Sequence, residues 1–100
     1  MTVLVLPQEL THAQATASLK ALVQGLPSLS GPEAVVDAGP LTRFDSSALA
    51  VLLEFRRVAL AQGKRFSTQS LPKRLADLAG VYGVLELLAA TPTTDAAPVN

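Results

Sequence analysis

The sequence predicts an α/β sandwich, a β-sheet covered by helices, and three observations carry that prediction. Short β-rich runs alternate with segments of helical periodicity, in the order β-α-β-α-β-α-α. Hydrophobic residues make up 49% of the 100 and charged residues 16%, which excludes a largely disordered chain. The most apolar helix follows directly on a polar loop that carries two serines, so a buried element and a polar entrance adjoin.

Residues 2–6 are β-rich and stop at Pro7, as a first or edge strand does. Thr11 stands three residues before Gln14, a capping-box spacing. Leu19, Leu22, Val23 and Leu26 then share one helical face, with Ala15 a turn earlier and Lys20 and Gln24 opposite. Gly25 and Pro27 end that helix, and residues 28–32 make a polar turn. Residues 34–37 read as a buried strand, after which Pro40 and Thr42 carry the chain to Asp45. The helix over 48–61 runs to a C-cap at Gly63. Over residues 64–71, Phe66, Thr68 and Ser70 alternate with Arg65, Ser67 and Gln69, the period of a strand. Pro72 opens a helix with Leu75, Leu78 and Ala79 inward, closed at Gly80. Val81-Tyr82-Gly83 turns the chain into a last short helix over 84–89. One domain over residues 1–90 and a flexible tail over 91–100, which holds two prolines and small polar residues, complete the division.

Composition narrows the function. Formal net charge is zero, so nothing draws the whole chain to nucleic acid or anionic lipid. Without cysteine there is neither a disulfide framework nor thiol chemistry, and an intracellular location is expected. No apolar run approaches the ~20 residues of a membrane span, and residues 1–6 are too short, and lack the basic start, for a secretory signal. A soluble protein that meets a membrane only through a partner is the expectation. Ser46 and Ser47 lack a Gly-x-Ser-x-Gly setting, and the sole histidine, His12, reads as a surface residue at a helix start. No spacing suggests a metal site and no Gly-rich loop a nucleotide site. The chain is read as a non-enzyme without cofactor or metal.

Asp45-Ser46-Ser47-Ala48-Leu49 is the stretch that invites a function. Asp45 or Ser46 can cap the helix, and Ser47 sits in its first turn near the positive end of the dipole. An exposed hydroxyl pair there is either a docking or phosphate site or simply part of a capped helix end. The helix itself is apolar nearly all round. One arc, Ala48, Leu52, Phe55 and Ala59, suits the sheet, while a second, Leu49, Leu53 and Leu60, is left at the margin. That arc is covered either by the domain's own neighbours or by a partner. Arg56 and Arg57 occupy a solvated face, with Glu54 reaching Arg57 at i,i+3. Seven of the basic residues and only Asp45 and Glu54 of the acidic ones fall within 43–74, a local charge of 7 − 2 = +5. An acidic partner or ordinary surface charge both account for it; nucleic acid does not, for want of interleaved aromatics.

Val35-Val36-Asp37, followed by Phe44-Asp45-Ser46-Ser47-Ala48-Leu49-Ala50-Val51-Leu52-Leu53, resembles the signature of STAS domains, the family of anti-sigma factor antagonists and sulfate-transporter tails. Residues 75–84 resemble that family's C-terminal part, and the short entry before the first helix is similar to the small STAS subunits of Mla phospholipid-transport systems. The resemblance implies a STAS-type sandwich with a mixed sheet and a non-catalytic accessory subunit bound to the cytoplasmic ATPase of an ABC transporter. It places such a subunit at the inner membrane through that ATPase. It further implies docking through the loop and the start of the central helix, with Ser46 at the partner contact. Asp45, Ser46, Ser47, Leu49 and Leu53 are the partner-binding candidates on this view. In the antagonists a serine of the pair is a kinase target, so phosphorylation of Ser46 or Ser47 in an anti-sigma factor antagonist is the alternative. Ala48 stands where antagonists usually carry Gly, which favours docking over switching. A stand-alone ligand-binding domain is the third reading and needs an enclosed apolar pocket.

Overall fold

Three consecutive buried residues, Ala34, Val35 and Val36, mark the strand around which the sheet forms; Ala34 and Val36 face the hydrophobic core, and Val35 lies on the opposite face of this central strand. In the computed structural model, which describes residues 3–29 and 31–88, this strand is the third of five. The elements are β1 (Leu4–Val5), β2 (Glu9–Leu10), α1 (Ala15–Gly25), β3 (Glu33–Asp37), β4 (Arg43–Phe44), α2 (Ser46–Ala61), β5 (Arg65–Gln69) and α3 (Lys73–Val81). Short 3₁₀ turns at Leu26–Ser28 and Leu85–Leu88 complete them. The tail expected at 91–100 lies outside the described residues.

The main sheet has the order β1-β3-β5. Val36 lies opposite Leu4 on one side and Thr68 on the other. Each neighbouring strand is reached through a helix, and a helical crossover returns the chain in the same direction. All described strand pairs are therefore parallel, in place of the mixed sheet that the resemblance implied. The α/β fold class stands.

Strand order also decides what covers what. Two right-handed crossovers that step the same way across a sheet put their helices on the same face. Accordingly α1 packs along α2, and both bury their inner faces against Ala34, Val36, Phe66 and each other. Phe55 of α2 meets Phe66 of β5 edge to face at 6.0 Å between ring centroids. The alternation in β5 is as the sequence predicts, with Phe66 and Thr68 inward and Arg65 exposed.

Several boundaries move, among them the start of α2, which lies at Ser46 rather than at residue 48. α1 begins at Ala15, because residues 11–14 form a turn in which Gln14 Oε1 accepts from the Thr11 amide and hydroxyl. α3 runs through Gly80 to Val81, and Gly83, at φ +74°, makes the turn expected at Gly80. The last helix is a 3₁₀ turn, fastened where the buried Thr68 hydroxyl donates to the Leu88 carbonyl at 2.8 Å.

Candidate docking site

A two-strand ladder builds the site. β2 and β4 pair in parallel, Leu10 opposite Phe44, so the turn before α1 lies beside the loop that enters α2. Asp45 sits at the junction and uses both carboxylate oxygens. Oδ1 accepts from the Ser47 amide at 2.8 Å and caps α2; Oδ2 accepts from the His12 amide at 3.2 Å. One exposed carboxylate thus fixes the start of α2 to the entry of α1. The Ser47 amide chiefly holds the Asp45 carboxyl below its ordinary range; burial, next in size, opposes it, and the His12 amide, the Ser47 hydroxyl and the nearby His12 ring add smaller lowering effects.

The two serines differ. Ser47 is half-buried and its hydroxyl is engaged by Asp45. Ser46 is exposed, and its hydroxyl makes no hydrogen bond among the described residues. Of the two caps the sequence offered, Asp45 is the one used, which leaves the Ser46 hydroxyl available at the N-terminal end of a 16-residue helix.

The apolar candidates divide as well. Leu49 is 3% exposed and belongs to the core, not to a margin, because α1 covers that side of α2. Leu53 is half-buried against the same core. Only Leu60, at 44%, is open, and it lies at the far end of the helix from Asp45. The second arc is thus largely an interhelical seam.

Sequence reasoning did not find the opposite wall. Between the start of α2 and α3 runs an open groove of about 420 Å³, lined by Phe44, Asp45, Arg74, Asp77, Leu78 and Val81. The α3 positions recur at helical spacing and form one strip. The Arg74 guanidinium lies over the Phe44 ring at 5.2 Å, a cation–π contact that joins the two walls. Lys73 pairs with Asp77 at 2.9 Å. A second open groove of similar size, between β1 and α1, is lined by Leu4, Val5, Pro7, Ala17 and Ala21 and holds none of the predicted site residues.

Much of the local positive charge is already occupied. Arg43 pairs with Glu9, Arg57 with Glu54 and Arg65 with Glu33, while Lys64 donates to the carbonyls of Leu29 and Gly31. The reading of ordinary surface charge accounts for this stretch better than an acidic partner. No group of three or more His, Cys, Asp or Glu side chains is placed to hold a metal among the described residues. No described helix is long and apolar enough to cross a membrane.

A family model described as "Mlab, STAS domain" matches residues 1–89. No curated protein matches the chain.

Proposed function

The chain belongs to the STAS-domain family, whose members are generally binding and regulatory domains, and on that premise we propose that it is an accessory subunit of an Mla-type phospholipid-transport ABC complex. It docks on the cytoplasmic ATPase, supports assembly and activity of the complex, and is held at the inner membrane through that contact. The observation that carries this reading is the exposed Ser46, its hydroxyl unbonded, at the Asp45-capped start of α2 beside a groove with an apolar wall. The Ser47 amide there is already held by Asp45, so a partner meets a preformed surface and pays little ordering entropy. Asp45 and Ser47 set the geometry of the contact, Ser46 makes it, and Leu49 and Leu53 support it from behind.

An affinity pull-down of the tagged chain from detergent-solubilised membranes tests the proposal. Recovery of an ABC ATPase together with its permease supports it. Recovery of a soluble serine kinase without transporter subunits moves the answer to an anti-sigma factor antagonist. The exposed Ser46 hydroxyl favours that second reading in one respect, since a phosphate there, at about −1.5 to −2 charge, would be tolerated by the helix dipole yet not by a dry interface.

A further inference from the structure

Large apolar side chains are exposed in one concentrated place. Val81 is 81% exposed and Tyr82 59%, with Leu85 and Leu87 also open; the only other exposed large apolar residues described, Val5 and Leu60, stand singly. The cluster is not a fraying end. The Tyr82 amide donates to Leu78 at 3.1 Å, the Gly83 amide to Gly80 at 3.1 Å and the Val84 amide to Ala79 at 2.9 Å. Beyond them, Leu88 is fully buried and tied to Thr68. Leu75, Ala79 and Leu88 already supply the core contacts of this segment, with Val84 packed against them, so Val81, Tyr82 and Leu85 are held outward on an ordered turn without a packing role among the described residues.

The turn is continuous with the docking groove. Val81 lines the groove, and positions 74, 77, 78, 81 and 82 follow one another at helical spacing along a single strip. That strip is polar beside Asp45 and apolar at its far end. We propose that Val81, Tyr82 and Leu85 form a knob that inserts into an apolar pocket of the same partner protein, as the dry anchor of an interface whose polar rim is Asp45, Ser46, Arg74 and Asp77. The inference rests on the function proposed above. Charge selects a protein over a lipid surface. Binding to an anionic bilayer needs free basic residues around the apolar patch, whereas here Lys73 is paired with Asp77, Arg74 lies on Phe44, and Glu86 adds a negative charge within the turn. A rigid tyrosine beside aliphatic side chains, ringed by polar groups, is the composition of an interface hot spot.

The test is co-purification with the ATP-binding subunit of the Mla-type transporter from the same genome, using wild type, Val81→Asp and Tyr82→Ser, and Arg74→Glu as a groove variant. Both knob variants should weaken binding by about tenfold or more while remaining folded, since neither side chain is in the core, with Val81→Asp melting only a few degrees lower for the negative charge it places at the end of α3. Wild-type binding by both knob variants overturns the inference; if Arg74→Glu alone weakens the complex, the docking reading survives without it. A wild-type chain that does not bind the subunit overturns both. So does a wild-type chain that instead self-associates or binds phosphatidylglycerol vesicles through the knob, in a manner lost in Val81→Asp.

Discussion

Replacing Asp45 with Ala removes the acceptor for two backbone amides, Ser47 and His12, and leaves the start of α2 uncapped. The melting temperature, followed by circular dichroism, should fall by about 4–8 °C. Asp45→Asn keeps an acceptor and should retain most of that stability. It should also flatten the acid limb of the stability curve. The folded Asp45 carboxyl lies below its ordinary value of 3.8, so its charge stabilises the fold above that value and the contribution disappears as pH falls through the folded one. Melting temperatures measured between about pH 6 and pH 2 should therefore drop less in Asp45→Asn than in wild type. Ser46→Ala, by contrast, removes no cap and should change stability by less than about 0.5 kcal/mol, so any loss of partner binding in that variant reads directly on the contact. The cap was legible in the sequence only as a choice between Asp45 and Ser46. The second bond, to His12, joins residues 33 apart in the chain and leaves no local trace.

At the scale of the helix, α2 is buried further round than its own periodicity indicates. Ala48, Leu52, Phe55 and Ala59 are fully buried, as the first arc predicts, but Leu49 and Val51 are buried too, because α1 lies along α2 on the same sheet face. Hydrophobic pattern tells that a helix must be covered; strand order tells by what, and order is a long-range property. Leu49→Ala should cost about 2–5 kcal/mol in urea unfolding, a large part of the roughly 5–10 kcal/mol available to a domain of this size, and Leu49→Glu should unfold the chain. Leu53→Glu, at a half-buried site, should remain folded and lose much less. The β5 edge offers a parallel case. Thr68→Val leaves the Leu88 carbonyl without its hydroxyl donor and should cost about 1–3 kcal/mol, with faster amide exchange confined to the Leu85–Leu88 turn.

At the scale of the whole molecule, the α/β class and the five long elements were readable because the helices carry a period of 3.6, β5 a period of 2 and β3 a continuous apolar run. β2 and β4 were not, since two residues apiece are too few for a pattern. Yet that ladder is what brings the His12 turn to Asp45. The α3 wall escaped for a related reason: Arg74, Asp77, Leu78 and Val81 meet Phe44 and Asp45 only once α3 packs against α2. The family signature marked one half of the surface, and tertiary packing supplied the other. The proposed docking places the start of α2 against the transporter ATPase, and site-specific photocrosslinking in cells tests that most directly. A photoreactive residue at position 46 should crosslink to the ATP-binding subunit, whereas one at position 62, exposed at the opposite end of α2, should not. Crosslinking from position 62 but not from 46 would contradict the account.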